Sequence, residues 1–340
     1  MNQAIPPRIS VCVANYNGEH VLIDCLDSVM AQDVDALVEI IVHDDASTDA
    51  SLALLRDRYP QARVIASEHN AGFCTANNRM VAQARGDFVL LLNNDATLAT
   101  GALAALLRAS NSQQPSGILS LAQYDWESGA LVDHGCLLDP FCNPVPNLDP
   151  ARSKVATVIG ACLWLPRSLW LDLGGLPQWF ESIAEDMYLC CCARLIGRPV
   201  QVVPGSHYRH RQGASFGGNG IGATGLSTTV RRRRLSERNK TAVMLICYPL
   251  PSLCLLLPMH LLALSAEAIF LLLTGSALNT VRTIYTPILP WLWRHRHDIA
   301  AQRRRLRATG RISASEYFSQ TVWFPHKLSM LRRHGTPEIR

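Results

Sequence analysis

Short apolar runs alternate with helical patterns along the first third of the chain. The runs are continuous and rich in β-branched residues, as in strands buried on both faces of a sheet, and the segments between them carry apolar residues at helical spacing. Strands are predicted at residues 8–14, 37–43, 63–66 and 88–92, and helices at residues 19–31, 50–58 and 72–84. This alternation predicts an α/β fold with a doubly wound, parallel sheet and right-handed crossovers.

Asparagine or aspartate follows three of the four predicted strands, in the segments NYNG at 15–18, DDASTD at 44–49 and NND at 93–95. Ligands of open α/β sheets bind beyond the carboxyl ends of the strands, so these polar groups would meet at one edge. Taken alone, GDFVLLLNNDA at 86–96 favours a buried strand followed by an Asn/Asp turn. The order of the neighbouring segments favours a ligand site.

The loop after the first strand contains a single glycine, Gly18, so the chain has neither G-x-G-x-x-G nor a P-loop there. This argues against a nicotinamide-binding Rossmann enzyme. A fold that holds a nucleotide diphosphate without a glycine-rich loop must neutralise the phosphates in another way, and a divalent cation on a carboxylate would do so. Asp95 is the carboxylate that we expect to hold it.

The succession VCVANYNG, HDDASTD, EHNAGFCTANN and GDFVLLLNND resembles the nucleotide-sugar half of the family 2 glycosyltransferases, whose fold is called GT-A. More narrowly, it resembles the bacterial rhamnosyltransferase-like branch that builds cell-wall and surface polysaccharide on lipid carriers. The resemblance covers about residues 8 to 300. It implies a GT-A domain with a doubly wound, mostly parallel sheet.

The resemblance also implies a donor site and a metal site. Asn15 and Asn17 would line the base pocket. Asp44 or Asp45 would bind the base or the ribose, and Asn78 would lie near the nucleotide. The donor-binding residues implied are Asn15, Asn17, Asp44, Asp45, Asn78, Asn93 and Asn94. Asp95 would bind Mg²⁺ or Mn²⁺ as the carboxylate of the family's D-x-D motif. Because Asn93 puts a neutral amide in place of the first carboxylate, we expect a loosely held metal that depends on the phosphate oxygens of the donor.

Two further motifs supply catalytic residues. AEDMYLCCCARLI at 184–196 resembles the family's acidic motif at the start of a helix, where Glu185 and Asp186 would be stabilised by the helix dipole whatever their function. Inverting transfer to a hydroxyl needs a carboxylate to remove the acceptor proton, and the resemblance places this base at Asp186. His210 fits the family's H-x-x-G-x-S pattern with Gly213 and Ser215, in which the histidine completes the metal or diphosphate site. The glycine-rich residues 213–225 would form a flap over the donor.

The C-terminal part changes character. Residues 241–273 are almost wholly apolar, interrupted by His260, Glu267 and three prolines, and basic residues flank both ends. This length could supply one spanning helix, but the prolines and the flanking charges favour a re-entrant hairpin or helices lying in the membrane interface. A buried helical hairpin of a soluble protein is the alternative. We divide the chain into a GT-A domain at 1–226, a membrane-associated helical region at 227–300 and a basic tail at 301–340.

Composition narrows the remaining choices. With 48% hydrophobic and 17% charged residues among 340, the chain is not disordered. Its eleven cysteines lack zinc-site spacing and are interpreted as small apolar residues in a reducing compartment. The N-terminus lacks the basic and apolar regions of a signal peptide, so we expect the catalytic part to remain cytoplasmic. Four consecutive arginines at 231–234 abut the apolar segment without interleaved aromatics, which argues against nucleic acid as a partner.

These features together predict an inverting, metal-dependent glycosyltransferase at the cytoplasmic face of the inner (plasma) membrane, held there peripherally or by a re-entrant segment. It would move a sugar, with L-rhamnose from dTDP-L-rhamnose as the expected donor, to a hydroxyl of a lipid-linked glycan in cell-wall or surface polysaccharide synthesis. One alternative is transfer to a polyprenyl phosphate itself. Another is a catalytically silent nucleotide-sugar-binding partner, to which the amide of Asn93 would point.

Overall fold

The computed structural model describes residues 8–112, 115–211, 220–222, 225–309 and 312–340. The chain forms two compact units. The sheet unit contains Met1–Cys136, Pro146–Ala193 and Arg198–Gln212, and the helical unit contains Leu137–Val145, Arg194–Gly197 and Gly213–Arg340.

The sheet unit follows the predicted alternation of strands and helices. Its strands are β1 (Arg8–Asn15), β2 (Leu37–Asp44), β3 (Arg63–Ala66), β4 (Phe88–Asn93), β5 (Ala96–Leu98), β6 (Ile118–Asp125), β7 (Leu131–Asp133), β10 (Cys162–Pro166) and β11 (Val200–His210). The division between the units falls within β8 (Cys136–Leu138) and β9 (Pro144–Pro146). Its helices are α1 (Leu22–Met30), α2 (Ser51–Arg58), α3 (Phe73–Gln83), α4 (Ala102–Ser112), α5 (Arg167–Leu173) and α6 (Glu185–Leu195), with a 3₁₀ turn at Gln178–Phe180.

The sheet has the order β3-β2-β1-β4-β10-β6-β11-β5, and β7 is paired with β6. The first four strands in this order are parallel, as are β6 and β11, so the predicted mostly parallel sheet is confirmed. Strand β10 is antiparallel to both of its neighbours, and β5 is antiparallel to β11. The sequence pattern did not predict β5, because three residues are too few to show a period.

The core of the sheet unit explains why its strands are continuous apolar runs. Ile9, Val11 and Val13 of β1 belong to one cluster of buried side chains that also includes Leu22 of α1 and Leu103 of α4. The residues between them on β1 are buried as well, which is expected of a strand with helices on both faces. Burial on both faces leaves the strand ends as the places where polar side chains can reach solvent.

Besides most of β8 and β9, the described residues of the helical unit form short strands and a series of helices. The elements are β12 (Gly220–Gly222), β13 (Gly225–Thr228), α7 (Val230–Cys247), α8 (Leu250–Leu273), α9 (Leu278–Tyr285), α10 (Ile288–Arg294), α11 (Arg296–Thr309), α12 (Ala314–Tyr317), α13 (His326–His334) and β14 (Glu338–Ile339). Apolar residues 241–273 thus divide between the end of α7 and the whole of α8. Arg303 closes the C-terminus of α7 by donating to the carbonyl groups of Leu245 and Tyr248, at 2.6 and 3.0 Å.

All eleven cysteines are free thiols, and ten of them are buried. Burial raises the pKa of Cys190 to about 12, so this thiol stays protonated and cannot act as a nucleophile at neutral pH. Both observations agree with cysteines that serve as small apolar side chains. Cys254 on α8 is the exposed one.

Candidate active site

The ends of β1, β2 and β4 bring three predicted donor-site residues together. Parallel pairing sets Asn15 beside Asp44 and Ala14 beside Asn93. The Asn15 Nδ2 donates to Asp44 Oδ2 at 3.0 Å, and Asn94 Nδ2 donates to Asn15 Oδ1 at 2.8 Å. The three side chains are buried. They form a fixed polar network beneath the edge of the sheet.

Gly18 is required by this network. A Cβ atom at Gly18 would lie 2.3 Å from Asn15 Oδ1 and 2.3 Å from Asn94 Nδ2. Any side chain at position 18 would therefore displace one or both of these buried amides. The single glycine of this loop therefore permits a close approach to side chains and does not serve a phosphate-binding turn.

The two adjacent aspartates have different surroundings. Asp44 is fully buried, and its Oδ1 accepts from the Ser47 backbone N–H at 3.0 Å. Asp45 accepts from the backbone N–H groups of Ala71 and Gly72, at 2.7 and 2.9 Å, immediately before α3 begins. Asp45 thus holds the start of a helix, and Asp44 holds Asn15 and the loop after β2.

Asn17 ties the loop after β1 to the loop after β2. Its Oδ1 accepts from Thr48 N at 2.8 Å, and its backbone N–H donates to Ser47 Oγ at 2.9 Å. The backbone of Asn17 has φ = 49°, a left-handed conformation that asparagine tolerates better than most residues. Tyr16, 53% exposed, lies between these fixed residues. Neither Tyr16 nor Ser47 was predicted as a site residue, although an aromatic ring in an exit loop is a usable sequence signal.

Asn78 on α3 makes contacts of a different kind. Its Nδ2 donates to the Leu176 carbonyl at 2.7 Å, and its Oδ1 accepts from the Leu176 N–H at 2.9 Å. Gly175 fits against this amide, since a Cβ there would lie 2.5 Å from Asn78 Oδ1. Asn78 therefore anchors the turn at 174–176, and its predicted proximity to the nucleotide stays a prediction.

Asp95 and His210 meet although 115 positions separate them in the sequence. Asp95 Oδ1 lies 3.1 Å from His210 Nε2, and Asn93 Nδ2 lies 3.4 Å from the same nitrogen. The antiparallel pairing of β5 with β11 sets His210 opposite Ala96, and the Arg211 N–H donates to the Asp95 carbonyl at 3.0 Å. The short strand β5, which the sequence did not reveal, thus brings the two residues together.

The pair suits a divalent cation. Asp95 Oδ1 is buried and makes no hydrogen bond of good geometry with the residues that the structure describes. Two neighbouring ligands at ~2.1 Å from one octahedral ion lie about 3 Å apart, close to the separation found. No group of three His, Cys, Asp or Glu side chains converges among the described residues, so Asp95 and His210 would be a partial ligand set. The expectation that other ligands come from the donor stays a prediction.

Asp133 is a buried carboxylate that the sequence analysis missed. Burial raises its pKa to about 6, against the opposing effects of the Gly135 N–H, which donates to it at 2.8 Å, and of the charge on His210. It lies in the short strand β7, opposite Gln123 of β6. No motif surrounds it in the sequence, so only the fold reveals that it lies within the electrostatic reach of His210.

Asp186 lies at the first turn of α6, as predicted. Its Oδ2 accepts from the Gly160 N–H at 2.9 Å, and its Oδ1 accepts from the Met187 N–H at 2.6 Å. Asp186 is half-buried, whereas Glu185 is 8% exposed. Of the two carboxylates, Asp186 is the more accessible to an acceptor hydroxyl.

The segment before α6 is strained. Glu181, Ile183 and Ala184 have φ values of 65°, 67° and 67°, which are unfavourable for residues with a Cβ and most of all for β-branched Ile183. Each costs on the order of 1–3 kcal/mol, and such residues cluster at functional sites. The Glu181 carbonyl accepts from Cys74 N of α3 at 3.2 Å, which helps to hold the segment. Gly213, Ser215 and most of the predicted flap at 213–225 lie outside the described residues.

Comparisons with known proteins give consistent results. The model of the family described as "Glycosyl transferase family 2" matches residues 10–132, which include every predicted donor residue and Asp95. The N-acetylglucosaminyl-diphospho-decaprenol L-rhamnosyltransferase of Mycobacterium tuberculosis is 26% identical over 210 residues, which are 53% of this chain and 68% of that protein.

Solved structures share the fold. TarS 1–349 of S. aureus in complex with UDP-GlcNAc has a TM-score of 0.54 at 16% identity and covers 93% of each chain. GalNAc-T7 with UDP, GalNAc and Mn²⁺ has a TM-score of 0.54 at 18% identity, over 71% of this chain and 48% of that one. At these identities the likeness concerns the fold alone, and it confirms the predicted GT-A architecture.

Proposed function

We propose that this chain, a family 2 glycosyltransferase, transfers L-rhamnose from dTDP-L-rhamnose with inversion to a hydroxyl of a lipid-linked glycan. The observation that carries the proposal is the single sheet edge at which the Asn15–Asp44–Asn94 network ends next to the Asp95–His210 pair. The Mycobacterium relative, whose name specifies rhamnose and a diphosphate-linked N-acetylglucosamine, supports the choice of donor and acceptor.

In this proposal the donor base lies against the loops after β1 and β2. Asp44 and Asn15 are too buried to contact it and act as positioning residues for Asn17 and Tyr16. The exposed Tyr16 ring offers a face for base stacking. Asp95 and His210 would hold Mg²⁺ or Mn²⁺, and the ion would offset charge on the departing diphosphate.

Asp186 is the proposed general base. The backbone N–H groups of Gly160 and Met187 donate to its carboxylate and hold it in place, where it can accept the proton of the acceptor hydroxyl. Glu185 is the second carboxylate of this acidic motif. We propose that the reaction takes place at the cytoplasmic face of the inner membrane, where a lipid-linked acceptor would be available.

The test is a transfer assay with the full chain and dTDP-L-rhamnose, with Mn²⁺, Mg²⁺ or a chelator. The acceptors compared are a short-chain polyprenyl diphosphate carrying N-acetylglucosamine and the corresponding polyprenyl phosphate. We expect transfer to the diphosphate-linked sugar that the chelator abolishes. Asp186→Asn should lower the rate about 10²- to 10⁴-fold with donor binding retained, and exposed Asp57→Asn is the matched control.

Other outcomes identify the alternatives. Transfer to polyprenyl phosphate alone would assign the chain to that reaction. Donor binding without transfer or donor hydrolysis, for any acceptor and metal, would indicate a silent binding partner. Substantial turnover by Asp186→Asn would refute the assignment of the base.

A further inference from the structure

Helix α8 presents an inverted distribution of polar and apolar side chains. Among the described residues, it is the helix that is long and apolar enough to cross a membrane. Its most apolar stretch has a mean hydropathy of 2.0, and 22% of that stretch is buried. Its two titratable residues besides Cys254 face inwards: His260 is 2% exposed, and the Glu267 side chain is 20% exposed. Its exposed large apolar residues are Leu250, Leu255, Met259, Leu262, Ile269, Phe270, Leu272 and Leu273, called here the outer stripe.

The inward face of α8 is bound to polar groups of the same unit. His260 Nε2 lies 2.9 Å from Thr241 Oγ1 of α7. Glu267 pairs with Arg233 of α7 and, at 2.7 Å, with Lys327 of α13. A helix surface facing water would have the opposite arrangement, because charged groups are hydrated at low cost and apolar groups are not. The outer stripe therefore faces a medium less polar than water.

The same contacts decide how α8 is oriented in such a medium. Arg233 and Thr241 are eight residues apart on α7, and their partners Glu267 and His260 are seven residues apart on α8, so the two helices run antiparallel side by side for about 10 to 12 Å. If α8 crossed a bilayer, the charged α7 would lie beside its middle at membrane depth. The buried Glu237 and Lys240 of α7, whose Oε2 and Nζ atoms lie 3.1 Å apart, would also lie at membrane depth. This arrangement is too costly for a helix that carries arginines at 231–234.

We propose that α8 lies in the plane of the membrane interface, with its outer stripe among the acyl chains and its His260–Glu267 face towards α7. The partner is an anionic lipid bilayer. Within the same unit, α10 exposes Leu289 and 70% of Trp293, and the Arg296 guanidinium lies 4.5 Å from the Trp293 ring. Exposed tryptophan beside arginine is typical of segments at the headgroup level. This inference deepens the membrane part of the proposed function and is independent of the sugar-transfer reaction.

The first experiment measures vesicle binding of the full chain without sugar or metal. Vesicles of phosphatidylcholine, with and without phosphatidylglycerol, are floated with wild type, with Leu262→Glu/Ile269→Glu and with Leu148→Glu. Leu148 is 61% exposed and lies in the sheet unit, so it is the matched control. We expect binding that phosphatidylglycerol strengthens, a loss of tenfold or more in the double variant and no change in the control. Circular dichroism establishes that the double variant is folded.

The second experiment measures depth, and the protein supplies its own probe. Cys254 is exposed on α8, whereas the other ten cysteines are buried, so a fluorescent thiol label reports this position. Leu262→Cys and Ile269→Cys, each in the Cys254→Ser background, place the label further along about 22 Å of helix. Lipids with nitroxide quenchers at two depths then distinguish the orientations.

An in-plane helix requires similar, shallow quenching at all three positions. A crossing helix would give its deepest quenching at position 262, and that gradient would overturn the proposal. Absence of vesicle binding, together with self-association that Leu262→Glu/Ile269→Glu abolishes, would show that the outer stripe contacts a second copy, which also overturns it. None of these outcomes depends on whether rhamnose is transferred, so they are separable from failure of the proposed reaction.

Discussion

Replacing Asp45 by asparagine tests whether this carboxylate anchors α3 or binds the donor. Its two hydrogen bonds come from Ala71 and Gly72, and hydrogen bonds to a charged group contribute about 1.5–3 kcal/mol each. Both donor residues are half-buried, so water can satisfy part of what is lost. The amide can also still accept one bond. We therefore expect a loss of about 2 to 3 kcal/mol, confined to the segment that the carboxylate holds.

Hydrogen exchange measures this loss where it occurs. A change of 2 to 3 kcal/mol in the free energy of local opening corresponds to about 30- to 150-fold less protection of the amides in α3. Peptides that cover Phe73–Gln83 should show this change in mass-resolved exchange, while peptides from β4 should not. Asp57→Asn, at an exposed carboxylate of α2, should leave α3 unchanged.

The nucleotide supplies the second readout. If Asp45 anchors α3, the affinity for dTDP-L-rhamnose, measured by calorimetry, should fall by no larger factor than the exchange protection of α3. Unchanged protection of α3 together with lost donor binding would refute the reasoning, because it would make Asp45 a ligand of the donor. The adjacent Asp44 would then need the same comparison, since its carboxylate contacts Asn15 and Ser47 instead.

Three further predictions concern the network, the metal pair and α8. Gly18→Ala should abolish donor binding, because its Cβ would lie 2.3 Å from Asn15 Oδ1, and retained affinity in calorimetry would contradict the close packing. Asp95→Ala should remove the Mn²⁺ dependence of donor binding; an unchanged Mn²⁺ titration would exclude Asp95 as a ligand. Burial lowers the pKa of His260 from 6.5 to about 4, so the unfolded chain binds the extra proton and acid destabilises the fold. Between pH 7 and 5 this imidazole should lower the free energy of unfolding, measured with urea, by about 2 kcal/mol. His260→Asn should lack this part of the loss, and equal losses in both proteins would refute the role of His260.

The order of elements in the sheet unit followed from local patterns. Each of the four predicted strands and three predicted helices is present, and its ends either match the prediction or differ from it by at most three residues. The direction of β10 could not be predicted from the apolar run 158–166, because the direction of a strand depends on which strands flank it. Strand β11 runs from Val200 to His210, since a bulge between Val203 and His207 lets it continue along β6.

The sequence predicted which residues belong to the candidate site, but not which of them bond to one another. Asn15, Asp44 and Asn94 were selected at strand ends and do form one network. Asn78, selected by the same resemblance, is bonded to the backbone of Leu176, 98 positions away. Asp133 was not selected because nothing in its neighbouring sequence distinguishes it from an ordinary strand residue.

The sequence by itself determined where the first four strands and the first three helices form and which of these strands end in polar groups, because apolar periodicity is a property of neighbouring residues. The pairing of Asp95 with His210, the separate tasks of Asp44 and Asp45, and the inward position of His260 and Glu267 were decided only by tertiary structure. Each of these depends on residues distant in the chain: on the register of β5 against β11, on the approach of α3 to β2 and on the packing of α8 against α7. Composition identified α8 as apolar, whereas its neighbours determine which side of it meets water and which does not.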